Sequence, residues 1–581
     1  MITILFFLIP TIHAAEMEYT LDPIVVKASS SFDSLGEDAF LPQKKISFEA
    51  ARSTTQNVLD KTQMFPSKNL GFPSGAQGSN LGGRSSEDSQ VSTLGVPLTL
   101  PQGGGPDLSI FPSYLWSGAS ISTVPTIAGF SPQGVSGSMQ LELWTRSQIR
   151  ELKKSTSISR ITGSVDRQLQ NFSVATKKDT SALMAGMNFG QQKGPAGSLS
   201  MYAIRKPRSH LLFHLLGSDQ DGDNPGSKTF PSPNGRKKFW RVIPALESHQ
   251  EFGEEESKVV LENTAYADLQ QLKIEGTSSN THDRTQQFGV ENAVHWNDST
   301  FALTARYVNY QSSTFGTVDE WPIITQVSRD INLNDFWKMK IALGGNYTDH
   351  PGFAPTARFS FKNTLSNESN FFYELNSLVK MPTLTARYYH DSTFTGNPNL
   401  EPERVSSLIG GYDTKKGSLE STTTVKAEFR NKIQVTNSTY TSTINAGNAY
   451  LLSMAEDFGW KVSPSVNEKV GLLLSYSNLI DTNLPYPDLP NLSLASNGTY
   501  SIIPEVLNLN RSIRFMGPST TSSGKTHDSY LLMDLSVDYL INKTTALTLG
   551  CDNITDNRAE VVVDFPLPGR IVYLNFVSSF E

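Results

Sequence analysis

From Leu531 to the C-terminus the sequence repeats with a period of two, and that period constrains the chain more than any other feature. Leu531, Met533, Leu535, Val537 and Tyr539 alternate with Leu532, Asp534, Ser536, Asp538 and Leu540. After a polar turn at Asn542, Lys543 and Thr544, the residues Leu547, Leu549 and Cys551 alternate with Ala546, Thr548 and Gly550. In the closing segment Val572, Leu574, Phe576 and Phe580 share one face, and Tyr573, Asn575 and Ser579 are among those on the other. Successive side chains of a strand point to opposite faces, so each segment reads as a strand with one apolar face and one largely polar face. Such a strand suits a membrane barrel, apolar toward lipid and polar toward a wet lumen. A soluble sandwich with one solvated face alternates identically, so these strands alone leave both readings open.

Two earlier segments carry the same period. Phe301, Leu303, Ala305 and Tyr307 oppose Ala302, Thr304 and Arg306. Thr423, Val425, Ala427 and Phe429 oppose Thr422, Thr424, Lys426, Glu428 and Arg430. A sandwich core rarely takes Lys, Glu and Arg at consecutive inward positions, whereas a hydrated lumen accepts them. Internally there is no run of 18 apolar residues and mean hydropathy is −0.30, which excludes helical spans. A membrane reading therefore requires a closed barrel, the only other way to satisfy backbone hydrogen bonds in lipid. The net charge of −7 offers no basic footprint for nucleic acid. The single cysteine, Cys551, rules out an intrachain disulfide, and its apolar register marks it as a small filler.

Specific motifs then separate the two readings. Asn553-Ile-Thr-Asp556, Pro568-Gly-Arg570 and the near-terminal Phe580 resemble the closing strands of TonB-dependent outer-membrane receptors. A longer match is Lys380-Met-Pro-Thr-Leu384 followed by Gly396-Asn-Pro-Asn-Leu-Glu-Pro-Glu-Arg404, which is similar to a motif shared by cobalamin and siderophore receptors of that family. Glu581 follows the terminal aromatic here, where the family usually ends on the aromatic itself. The resemblance implies an all-β membrane protein: a 22-stranded antiparallel transmembrane β-barrel with a plugged lumen and an N-terminal α+β plug domain.

The chain order fits that expectation. Residues 1–15 are apolar and end in Ile12-His-Ala-Ala15, the pattern of a secretory signal peptide. Within 16–44, a periplasmic N-terminal segment, Asp22, Pro23, Ile24, Val25, Val26, Lys27 and Ala28 resemble the TonB box, a short β-prone stretch able to add to the edge of a partner's sheet. The implied partner is an inner-membrane energising complex of the TonB-ExbB-ExbD type. Residues 45–146 are rich in Gly, Ser and Pro and resemble the plug, with a short helix expected between Ile46 and Leu59. Leu94 stands where the family usually has Asp before Gly95, and Val124-Pro-Thr126 where it usually has Arg-Gly-Pro. Arg84 is the plug residue expected to pair with barrel-wall carboxylates. The barrel is assigned to 147–581; strands of about 11 residues take roughly 240 of these positions, leaving connections averaging about nine.

No constellation for bond chemistry is recognisable: there is no HExxH helix, no phosphate loop ending in Lys-Ser/Thr, and no GxSxG elbow. His210 and His214 form a pair without a carboxylate nearby in sequence. Asp219, Asp221 and Asp223 sit at alternate positions around Gly222, and the run resembles the acidic calcium-binding outer loop of cobalamin receptors. The expectation is calcium held in an outer loop, with Gly222 at a tight bend. The functional expectation is energised import of a scarce, large ligand, such as a ferric siderophore, cobalamin or a similar metal chelate or corrinoid, across the outer membrane. An uncoupled surface receptor or adhesin, or a passive porin-like barrel, are the alternatives, and an enzyme is not expected.

Overall fold

The computed structural model describes residues 44–47, 68–69, 77–78, 81, 86–100, 105–111, 116–122, 134–143, 157–164, 169–178, 181–189 and, apart from short gaps, 196–580. The signal-peptide stretch, the segment 22–28, Arg84 and most of the expected helix at 46–59 lie outside the described residues.

Before the barrel comes a small sheet of five strands: β1 (Lys44–Ser47), β2 (Ser89–Thr93), β3 (Val96–Pro97), β4 (Trp116–Ser122) and β5 (Gly137–Leu143). Their order is β1-β4-β5-β2-β3, with β2 and β5 parallel and the other neighbours antiparallel. The β2–β3 hairpin turns at Leu94 and Gly95, both at positive φ (55° and 77°). Glycine meets that demand freely, whereas Leu94 adopts it at a cost of roughly 1–2 kcal/mol, offset by burial in the core.

The strands that follow are β6 (Ser157–Ser164), β7 (Leu169–Lys178), β8 (Ser181–Phe189), β9 (Ala196–Lys206), β10 (Ser209–Asp223), β11 (Arg236–Phe252), β12 (Val259–Glu275), β13 (Thr281–Trp296) and β14 (Ser299–Ser312). Next come β15 (Gly316–Glu320), β16 (Ile323–Asn332), β17 (Trp337–Thr348), β18 (Gly352–Ser366), β19 (Ser369–Lys380), β20 (Glu403–Lys416), β21 (Leu419–Asn431) and β22 (Asn448–Ser463). The circuit ends with β23 (Val466–Leu479), β24 (Leu492–Ile503), β25 (Leu507–Met516), β26 (Tyr530–Asn542), β27 (Thr545–Asp552) and β28 (Ile571–Phe580). Each pairs antiparallel with its neighbour, and β28 pairs with β6 from Asn575↔Ser164 to Phe580↔Ser159, so the sheet closes and leaves no edge. β15 and β16 pair with successive parts of β14 and share one strand position. Trp321-Pro322 separates them, Pro322 having no N–H for the ladder.

The period of two is realised as the sequence implies. On β21, Val425 and Phe429 are 54% and 45% exposed on the outside, while Glu428 and Arg430 are 4% and 0% exposed on the inside. Leu535, Leu549, Val572 and Phe576 are likewise exposed, and Asp534, Thr548 and Tyr573 are buried. At three strand glycines an aromatic ring of a neighbouring strand covers the position: Tyr266 over Gly289, Phe372 over Gly411 and Tyr573 over Gly550. These rings fill the gap left by the missing side chain.

Short turns, such as Asn297-Asp298 with Asn297 at φ 51°, lie at the end where β28 finishes. The longer connections, including 381–402, 432–447 and 553–570, lie at the other. That asymmetry makes the second end the outer one.

Candidate functional site: the plug seam and the outer strand ends

Asp88 closes a 3-10 turn, Ser86–Asp88, that leads into β2. Its own carbonyl accepts from Ser136 N at 2.9 Å, tying the turn to the start of β5. The side chain leaves the plug and enters the barrel wall. Oδ1 accepts from Lys380 Nζ at 2.7 Å and Oδ2 from Arg430 Nη1 at 2.7 Å. Lys380 is the last residue of β19, and Arg430 the penultimate residue of β21. Between them β20 begins with Glu403, whose carboxylate accepts from Arg430 Nη1 at 2.9 Å. Arg430 also donates to Glu428 (2.5 Å), the Tyr486 hydroxyl (2.8 Å) and the plug's Ser136 (3.3 Å), and its guanidinium lies 4.9 Å from the Tyr486 ring centre.

Asp88, Glu403 and Arg430 are fully buried. Desolvation costs several kcal/mol per ion and is recovered only when the remaining donors and acceptors are satisfied, which this network largely achieves. Burial alone would raise the Asp88 carboxyl, but the charges of Arg430 and Lys380 and their hydrogen bonds outweigh it and hold it at about 2. For Tyr486, burial comes first and pushes the phenol well above its ordinary value.

A second seam lies against β10–β13. Lys237 donates to the plug's Asp107 at 2.9 Å. Arg241 holds Asp268 at 2.9 and 2.7 Å and donates to the carbonyls of Leu98 (3.0 Å) and Pro97 (3.1 Å), so one buried guanidinium joins the β3 region to the wall. Ser218 donates to the carbonyl of Ile110. Around these, Leu94, Val96, Leu98, Phe111 and Trp116 of the plug share an apolar cluster with Leu216, Phe239, Ile243 and Tyr266 of the wall. Gly95 sits so close to the Glu291 carboxylate that a Cβ there would collide with it.

The motif containing Lys380 and Glu403 therefore frames an anchor. The connection between them, 381–402, carries α1 (Leu384–Tyr388), capped by Thr383 Oγ1, which accepts from Ala386 N at 3.1 Å. Arg387 binds Glu320, the last residue of β15, and donates to the His350 carbonyl at 3.0 Å. Met381, Leu384 and Leu400 are buried, so this outer connection is folded down over the wall.

The plug anchor observed here is a carboxylate held by barrel cations, the reverse polarity of that expected for Arg84, which lies outside the described residues. The signal was present in Lys380, Glu403 and Arg430, all singled out by motif or alternation, but nothing local linked them to Asp88. The acidic run does not take the bent form expected of it. Residues 219–223 complete β10 and form no bend; Gly222 has ordinary strand geometry. Asp219, Asp221 and Asp223 are exposed on the outward face at alternate positions, about 7 Å apart at strand rise. Asp221 is engaged by Arg236 at 3.0 Å and Lys238 at 3.9 Å. The strand does not bring the three carboxylates around one point, and no metal-holding group is found among the described residues. His214 lies between Ser200 (2.8 Å) and Glu247 (3.3 Å), and His210 stacks on His249 at 5.0 Å. Cys551 faces outward in the register of Leu549 and is free.

Known proteins match this architecture. The family model described as TonB dependent receptor-like, beta-barrel, matches residues 218–554. Among solved structures, the siderophore receptor PirA from Acinetobacter baumannii is similar at a TM-score of 0.74 and 11% identity, covering 95% of this chain and 99% of that one. The copper transporter OprC is similar at 0.76 and 11%, covering 94% and 99%. A mutant of the ferric enterobactin receptor PfeA from Pseudomonas aeruginosa is similar at 0.73 and 12%, covering 95% and 100%. No curated protein matches. At these identities the structures speak for the fold, and the family model, spanning more than half of the chain, speaks for descent: the protein belongs to the TonB-dependent receptors of the outer membrane.

Proposed function

We propose that this receptor imports a scarce metal chelate or corrinoid, captured at the outer connections and admitted when an inner-membrane complex of the TonB-ExbB-ExbD type pulls on the plug. The observation that carries the reading is the position of Asp88 between Lys380 and Arg430. These cations stand at the outer ends of β19 and β21, and Lys380 begins the 381–402 connection. Cargo touching that connection can shift the strand ends that hold the plug carboxylate, so occupancy outside is transmitted to the anchor inside. A force from the periplasmic side then acts on an anchor already loosened. The outer membrane holds no nucleotide or ion gradient, so work on the plug must arrive through a tether, and Asp22 to Ala28 is the stretch composed for it. PirA is a siderophore receptor, PfeA a ferric enterobactin receptor and OprC a copper transporter, which favours a metal-containing cargo.

The test uses cells expressing the full chain and supplied with radio-iron as a neutral trihydroxamate, radio-iron as a tricatecholate, radio-copper, or labelled cobalamin. Wild type accumulates one of these, and Val26→Pro, or deletion of 22–28, abolishes accumulation while surface binding stays within about twofold, because proline removes a backbone donor from an added strand. Accumulation that persists in the deletion would overturn energised import and favour a passive barrel.

A further inference from the structure

The two sides of the lumen differ in what the plug does for them. On β10–β13 the inward side chains are sealed: His214, Leu216, Arg241, Ile243, Asp268 and Glu291 are buried. On β24–β26, inward positions in the periplasmic half remain open to water. Asn497, Ser501, Asn508, Asn510, Ser536 and Asp538 are half-buried and Thr499 is exposed. All seven are short polar side chains.

Those side chains also satisfy one another across the strands. Thr499 Oγ1 donates to Asn510 Oδ1 at 3.0 Å, Asn510 Nδ2 to Asp538 Oδ2 at 2.8 Å, and Thr548 Oγ1 to Asp538 Oδ1 at 2.6 Å. The result is a polar ladder over β24, β25, β26 and β27. Separating plug from wall costs free energy where it breaks buried hydrogen bonds and exposes the apolar cluster around them, whereas groups that already satisfy one another lose nothing on meeting water. Withdrawing the plug from β10–β13 would take Asp107 from Lys237, the Ile110 carbonyl from Ser218 and two carbonyl acceptors from Arg241. The ladder loses nothing by facing water.

We infer that, within the import reading above, cargo descends along the ladder wall of Thr499, Asn510 and Asp538, with Thr548 buried behind them, while the plug stays seated on β10–β13. Both ladder partners of Asp538 are neutral, so its negative charge faces the path. The wall therefore suits neutral or cationic complexes rich in hydroxyl and amide groups, and disfavours polyanions.

The experiment replaces Cys551 by Ser and places single cysteines in the full chain, reconstituted in liposomes. Asn510→Cys and Thr499→Cys react with a cationic methanethiosulfonate at least about tenfold faster than Ala293→Cys, a sealed position on β13, since exposure governs thiol reaction. Equal rates would overturn the open wall. In cells, Asn510→Trp lowers uptake of the neutral ferric trihydroxamate at least about tenfold with surface binding unchanged, whereas Lys338→Trp, at an exposed inward position of β17, leaves uptake near wild type. Undiminished uptake in Asn510→Trp, or equal loss in Lys338→Trp, would overturn the route. Wild-type uptake of the trianionic tricatecholate equal to that of the trihydroxamate would overturn the charge preference. If wild type accumulates none of the four probes used for the import test, the import reading fails, while the thiol rates still decide whether the wall is open.

Discussion

The carboxylate of Asp88 and the guanidinium of Arg430 meet at 2.7 Å although 342 residues separate them in the chain, and both side chains are fully buried. One belongs to the plug and the other to the wall, so this pair measures whether the plug is seated. The same carboxylate takes Lys380 on its other oxygen, and a single substitution removes both attachments.

Asp88→Asn keeps the shape but takes the Asp88 charge from Lys380 and leaves Glu403 and Glu428 as the carboxylates on Arg430. Removing one partner of a buried pair typically costs about 3–5 kcal/mol; the remaining acids on Arg430 place the expected loss near the lower figure. The plug should become easier to displace while the barrel stays folded. Planar-bilayer conductance is the measurement: the variant should open at lower denaturant than wild type, and an unchanged threshold would remove Asp88 from the anchor.

Acid should act through the same group. The folded-state value of Asp88 is held at about 2, below the roughly 3.9 of an unconstrained aspartate. A depressed carboxyl stabilises the seated plug above the higher value, and that contribution is lost as pH falls toward the lower one. Conductance should therefore be flat between about pH 5 and 8 and rise between roughly pH 4 and 2. Asp88→Asn should lack that acid-dependent rise.

The wall itself is tested by adjacent residues of β26. Leu535 is exposed on the outward face, and Ser536 points into the lumen. Arginine at Leu535 should cost roughly 2–4 kcal/mol in a folding titration into lipid if the site lies near mid-membrane, and arginine at Ser536 much less. Equal costs would contradict the assignment of faces.

For the acidic end of β10, calcium at millimolar concentration should leave protease cleavage across residues 217–228 unchanged, with or without chelator. Asp221 is already engaged by Arg236 and Lys238, and the strand spreads the three carboxylates beyond the reach of one ion. Protection by calcium that is lost in Asp221→Ala would show that the strand end rearranges into a site.

The sequence by itself determined which side chains face lipid. Leu535, Val425 and Phe576 are outward, and Asp534, Lys426 and Glu428 inward, because alternation is a local property of extended backbone and needs no knowledge of neighbours. The motif residues Lys380 and Glu403 were legible as markers of the family for the same reason: they are contiguous patterns. Local composition misled at Asp219–Asp223, where glycine and aspartate suggest a turn. Pairing with Arg236–Trp240 instead carries the strand through, since each added pair satisfies backbone groups that a bend would leave open. Only the tertiary structure decided that Asp88 meets Lys380 and Arg430, and that Thr499, Asn510, Asp538 and Thr548 form one ladder. Both depend on which strand ends and registers a closed barrel brings side by side, and closure is a property of the whole circuit that no short stretch of the chain encodes.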